Sequence, residues 1–157
     1  PHLVDEILLL MNTDPLSVYG FLQKGVWSTE VDDYFLCILR FENDVVCKIQ
    51  CSNNARLAAP RWFVIGTKGT YRVEGRSEPV WDTAEIYYQD NDGQKANEKI
   101  KLIDVKESGI EGGFYRDLVP FLYGKIDTFV SMYEASKVVK ILELTKRSSE
   151  ENRVISF

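Results

Sequence analysis

The spacing of apolar residues divides the chain into helix first, strands next and helices again. Leu3, Ile7, Leu8 and Met11 recur at helical spacing with Asp5 and Glu6 on the polar side, which predicts a helix over about residues 2–11. Asn12-Thr13-Asp14-Pro15 ends it. Leu16 to Lys24 reads as a strand, Gly25 to Val31 as a loop, and Asp33 to Phe41 and Val45 to Ser52 as two strong strands. Asn43-Asp44 is a candidate two-residue turn between them, because both residue types tolerate positive φ. In that register Phe41 faces Val46 and Leu39 faces Lys48. One face then carries Phe35, Cys37, Leu39, Phe41 and Val46, and the other carries Tyr34, Leu36, Ile38, Cys47, Ile49 and Cys51. Both faces are largely apolar, whereas a half-exposed antiparallel sheet alternates apolar and polar positions. Helices are therefore expected on one face and another protein surface on the other.

Asn53 to Pro60 reads as a loop, Arg61 to Gly66 as a strand, Thr67-Lys68-Gly69 as a turn and Thr70 to Gly75 as a returning strand. Thr83 to Gln89 and Glu98 to Val105 form two more strands, joined by the polar tip Asp90-Asn91-Asp92-Gly93. Gly112-Gly113 opens a helix through about Tyr123, with Phe114, Leu118, Phe121 and Leu122 on its apolar side. Pro120 is expected to kink or shorten it. Ser131-Met132-Tyr133-Glu134 is a capping box, and the helix after it has the apolar stripe Met132, Ala135, Val138, Val139, Leu142 and Thr145. Ser148 to Asn152 reads as a loop and Arg153 to Phe157 as a last strand. Strands and helices are segregated, which predicts an α+β fold with an open, mostly antiparallel sheet and helices on one face. No internal repeat or low-complexity segment interrupts it.

Composition narrows the function classes. The 157 residues suit one domain spanning 1–157, and 45% hydrophobic with 27% charged residues is an ordinary globular balance. A net charge of -5 with scattered basic residues gives no footprint for nucleic acid or an anionic membrane. No apolar run reaches the length of a membrane span. Cys37, Cys47 and Cys51 are odd in number, lack CxxC spacing and have no nearby histidine, so neither a zinc site nor a disulfide framework is expected. In the register above, Cys37 also points away from Cys47 and Cys51. Reduced cysteines and the lack of a signal peptide point to the cytoplasm. The abrupt opening Pro1-His2-Leu3-Val4-Asp5, leading straight into an apolar helix, reads as a cut inside a larger protein.

Candidate chemistry is sparse. The single histidine, His2, carries the side chain best suited to proton transfer near neutral pH, and Asp5 falls on the same helix face. The plain alternative is an exposed or capping histidine at a helix start. No nucleophilic triad, G-x-G-x-x-G loop or Walker A loop is present. Gly66-Thr67-Lys68-Gly69 lies between strands and is a turn rather than a phosphate cradle. Gly112-Gly113 precedes a helix, but a plain helix start accounts for it. Arg56 and Arg61 flank a small, apolar loop and could hold a polar substrate or serve as interface residues. Trp62, Trp81, Tyr87 and Tyr88 fit core or interface better than a sugar-stacking platform.

In this order and spacing, the residues resemble the C-terminal domain of the Gfo/Idh/MocA oxidoreductase family, which includes glucose–fructose oxidoreductase and inositol dehydrogenase. The resemblance begins at Pro1-His2-Leu3-Val4-Asp5, similar to the family's D-x-G-x-H-x-x-D helix start. It continues through the Asn43-Asp44 hairpin and Pro60 to Val73, and ends with GGFYRDLVPFLYGK and the stretch from Glu134 to Phe157. It implies a dihydrodipicolinate-reductase-like C-terminal domain whose free sheet face serves oligomerisation. A separate N-terminal Rossmann domain would bind NAD or NADP, and substrate would lie between the two domains. By position, the resemblance makes His2 the catalytic histidine, Asp5 a substrate contact and Arg56 a residue of the substrate loop. The aspartate four positions before the histidine would precede residue 1, and the catalytic lysine would belong to the other domain. No cofactor and no activity are then expected of this fragment alone. The competing readings are a dimerisation or regulatory module that kept the fold without catalysis, and a free-standing small-ligand binding domain.

Overall fold

The computed structural model describes residues 1–74, 83–90, 92–102, 113–127 and 131–157. Its elements run α1 (His2–Met11), β1 (Ser17–Gln23), β2 (Tyr34–Arg40), a short 3-10 turn (Glu42–Asp44), β3 (Val46–Ser52), β4 (Trp62–Ile65), β5 (Gly69–Val73), β6 (Thr83–Gln89), β7 (Lys95–Lys101), α2 (Gly113–Leu122), α3 (Met132–Glu151) and β8 (Ile155–Ser156). The strands form two antiparallel ladders, ordered β3-β2-β1-β8 and β4-β5-β6-β7. This is the expected α+β class. The chain divides into two compact units, residues 1–55 with 128–157 and residues 56–127.

In the first unit, α1 and α3 pack on one face of the β3-β2-β1-β8 ladder. Val4 and Ile7 of α1 are buried, as are Val138, Ile141, Thr145 and Ser148 of α3, each set at helical spacing. Val18, Cys37, Leu39, Phe41, Ile49 and Ile155 complete this core. Two features of α3 depart from expectation. Its buried stripe is centred on Ile141 and Ser148, while Met132 is 86% exposed. The helix also runs through Ser148 to Glu151 and stops at Asn152, which takes the left-handed conformation with φ 53°. Ser148 stays helical because its hydroxyl is used in the core: it accepts from the Gly20 amide at 2.9 Å and donates to the Arg153 carbonyl at 2.5 Å. The last strand accordingly shrinks to Ile155–Ser156, paired with β1.

The β2–β3 hairpin is one residue out of the expected register. Asn43 and Asp44 do have positive φ, 57° and 59°, but Glu42 joins them in a three-residue loop closed by the Phe41 amide on the Val45 carbonyl at 2.8 Å. Leu39 therefore faces Cys47, Cys37 faces Ile49 and Phe35 faces Cys51. A one-residue slip exchanges the faces of a strand, so Cys47, Ile49 and Cys51 lie on the helix side with Cys37 rather than opposite it. The other face carries Tyr19, Phe21, Leu36 and Ile38 together with Lys48 and Gln50. All three cysteines are free.

In the second unit, β4 and β5 form the expected hairpin, closed by the Gly66 amide on the Gly69 carbonyl at 2.8 Å. Gly69 lies so close to β6 that a Cβ would stand 2.5 Å from the Tyr87 carbonyl oxygen. β7 begins at Lys95, three residues earlier than the pattern suggested, because the Asp90 carboxylate and Gly93 at φ 76° complete the turn sooner. Residues 103–105 of that expected strand lie outside the described residues, as do Trp81, Asn91 and Gly112. Helix α2 ends at Leu122, two residues past Pro120.

Candidate functional site

The first turn of α1 is closed on Pro1, whose carbonyl accepts from the amides of Val4 and Asp5, both at 3.0 Å. Val4 and Ile7 turn inward, so the opposite side of the helix is left exposed, and it carries both His2 and Asp5. These two residues line one open cleft of about 790 Å³ between α1 and the first turns of α3. Asn12, Thr13 and Asp14 line it beyond the end of α1, and Glu134 and Lys137 line it from α3.

Asp14, Lys137 and Glu134 in the cleft are each held by a partner. Lys137 Nζ lies 2.6 Å from Asp14 Oδ1 and 4.4 Å from the centre of the Tyr133 ring. The hydrogen bond that the Lys137 ammonium donates to Asp14 raises its pKa. The Glu134 carboxylate accepts from the Ser131 hydroxyl and amide, closing the capping box, and these bonds hold its pKa below the usual carboxylate range. The sequence marks Glu134 only as a cap and Asp14 only as part of the stretch that ends α1, and gives Lys137 no role of its own. Their pairing joins residues 123 positions apart in the chain (137 minus 14), a relation that local spacing does not carry.

His2 also borders a second pocket, of about 330 Å³, walled by Leu3 and Val4 of α1, Phe35, Ile49 and Cys51 of the hairpin, and Leu142 of α3. Ile49 and Cys51 reach this wall because of the three-residue hairpin loop. The structure thus brings His2 and Asp5 together as expected. Arg56 lies exposed in a bend of the second unit and is not among the described residues lining either pocket. Among the described residues, no group of three or more His, Cys, Asp or Glu side chains is arranged to hold a metal ion.

Asp33, read from the sequence only as the start of a strand, organises the loop before β2. It is buried, and its carboxylate accepts from the amides of Val26 at 2.7 Å and Trp27 at 3.2 Å. Among the described residues, no helix is long and apolar enough to cross a membrane.

Residues 1–72 match the family model of the GFO/IDH/MocA C-terminal domain, the resemblance read from the sequence. No curated protein sequence matches the chain. Among solved structures, the chain is similar to a protein from Bacteroides fragilis at 23% identity and TM-score 0.79, covering 99% of this chain and 51% of that one. It is similar to an NAD-binding protein from Listeria innocua at 23% identity and TM-score 0.78, covering 99% and 49%. It is also similar to an oxidoreductase from Bacillus cereus at 20% identity and TM-score 0.77, covering 99% and 48%. At these identities the likeness is one of fold. The chain spans about half the length of each.

Proposed function

We propose that this chain is the substrate-side domain of an NAD- or NADP-dependent oxidoreductase acting on a sugar, polyol or related hydroxy compound, with His2 as its general base. The observation that carries this reading is the placement of His2 and Asp5 on the exposed side of α1, at an open cleft, within the stretch that matches the family model. The half-length coverage of the structural neighbours supports a second, N-terminal Rossmann domain as the partner across that cleft.

The chain's own residues do not fit a dinucleotide. The sequence has no G-x-G-x-x-G, and the described strand pairs are all antiparallel, without the parallel strand–helix unit that seats a pyrophosphate. On this reading the cofactor site belongs to the partner domain, and the fragment alone is expected to be inactive. A nicotinamide held there supplies the hydride acceptor. On this side, His2 takes the hydroxyl proton of the substrate carbinol as its C–O bond becomes a carbonyl. Asp5, one turn on, accepts a hydrogen bond from a neighbouring substrate hydroxyl.

Turnover by the protein expressed from its full reading frame tests this reading, with NAD and NADP supplied in turn over a panel of sugars, polyols and their keto forms. Nicotinamide-linked turnover of at least one is expected. None across the panel, with the protein folded, contradicts it. A second reading, a non-catalytic assembly module, is favoured by the apolar side chains Tyr19, Phe21, Leu36 and Ile38 on the sheet face away from the helices. Both readings place a homo-oligomer contact on that face. Sedimentation of this chain should then show a species larger than 18.1 kDa, and a clean monomer at high concentration counts against the contact.

A further inference from the structure

The smaller pocket at His2 differs in chemistry from the cleft beside it. Leu3, Val4, Phe35, Ile49 and Leu142 give it apolar walls, and the His2 imidazole and the Cys51 thiol are its polar groups. A cavity this poor in hydrogen-bonding partners holds water badly, and an apolar cavity of roughly 150 Å³ already accommodates benzene. The pocket of about 330 Å³ has room for a substituent of that size. The cleft on the other side presents Asp5, Glu134 and Lys137. His2 and Pro1 line both cavities, so the imidazole stands between a cleft that mixes charged side chains with Leu8, Leu9 and Val139 and a pocket that is almost wholly apolar.

We propose that this pocket is a subsite for an apolar substituent of the substrate, so that the preferred alcohol is amphiphilic: hydroxyls in the α1–α3 cleft, the reacting carbinol at His2, and a ring or branched alkyl group between Leu3 and Leu142. The proposal rests on the reading of His2 as the base at the carbinol, and it narrows the substrate class from polyols in general. Cys51 forms the rim of the subsite, being the exposed member of the wall. The hairpin register opens it: with Ile49 and Cys51 on the opposite face, the pocket would have no third wall.

The test uses the protein from its full reading frame, with methyl groups and the histidine ring labelled for NMR, and phenylethanediol and glycerol as probes. Phenylethanediol is expected to shift the Leu3 and Leu142 methyl resonances and the His2 ring signals together, while glycerol leaves the two leucines unmoved. Cys51→Trp fills the rim and should weaken phenylethanediol binding about tenfold, the loss expected when an apolar group is denied burial. Leu142→Ala, a second variant that enlarges the pocket, should move the Leu3 response without abolishing it. Unmoved leucines overturn the proposal, whether the pocket is unused or already filled by another segment of the protein. So does a folded Cys51→Trp variant that binds phenylethanediol as the parent does. Nicotinamide-linked turnover with silent leucines sustains the dehydrogenase reading and overturns the subsite. Leucine shifts without any turnover sustain the subsite as an apolar-ligand site and count against the dehydrogenase reading.

Discussion

The backbone of Gly20 on β1 lies directly against the backbone of Thr145 on α3, so close that a Cβ on Gly20 would overlap the Thr145 carbonyl. The contact brings the Gly20 amide within 2.9 Å of Ser148 Oγ and lets the Thr145 hydroxyl bond the Ile141 carbonyl at 2.7 Å beside Cys37 Sγ at 3.2 Å. The helix is thus docked on the sheet by small and hydroxylated residues at a place where bulk is excluded. Gly20→Ala should destabilise the protein by about 3 kcal/mol, since the obstruction is backbone that has nowhere to move. Urea unfolding measures this. A midpoint unchanged from the parent would show that the helix sits farther from β1.

Ser148→Ala tests the same junction from the helix side. It leaves the buried Gly20 amide without its acceptor, which costs about 1–3 kcal/mol. Amide exchange at Gly20 should accelerate by more than global destabilisation accounts for.

Burial pushes the Cys37 thiol up to about 11, against which the Thr145 hydroxyl acts only weakly. The folded state holds this proton more tightly than the unfolded chain does, so the stabilisation is full below about pH 9 and is lost as pH rises through about 11. Unfolding free energy should fall over that window, and Cys37→Val should flatten the fall. At pH 8 a thiol reagent should modify the exposed Cys51 first and Cys37 only on unfolding. Equal labelling rates for the two would contradict the burial.

At the N-terminus of α3, the Ser131 side chain accepts from the Glu134 amide at 3.1 Å while Glu134 reaches back to the Ser131 amide. Ser131→Ala should cost about 1 kcal/mol. The Glu134 carboxyl is held below its ordinary range, so its contribution is present above that range and lost as the pH falls below it. The gap between parent and Ser131→Ala should therefore narrow in acid, as read by thermal melts at successive pH values.

How far the sequence carried this picture depends on the range of the interaction concerned. The helix start at His2, the Ser131–Glu134 box and the Gly66–Gly69 turn are local devices and were legible. The β2–β3 register was not, because a two- and a three-residue loop around Asn43-Asp44 use the same residue types and differ only in whether Glu42 joins in. That one residue decides whether Cys51 and Ile49 face the helices. Ser148 reads as loop because serine is a weak helix former; a buried hydrogen bond from the Gly20 amide, remote in sequence, and one to the nearby Arg153 carbonyl override that tendency. Of the candidate site, the His2–Asp5 pair followed from helical spacing, whereas the Asp14–Lys137 pair depends on tertiary contact and left no local trace.

Replacement of His2 tests the central claim most directly. In the protein from its full reading frame, His2→Ala should lower kcat about a hundredfold or more while KM changes little, the range expected when a positioned base is lost. The residual activity should recover toward high pH as hydroxide takes over the proton. Turnover within twofold of the parent would remove His2 from the chemistry, and the proposed oxidoreductase site with it.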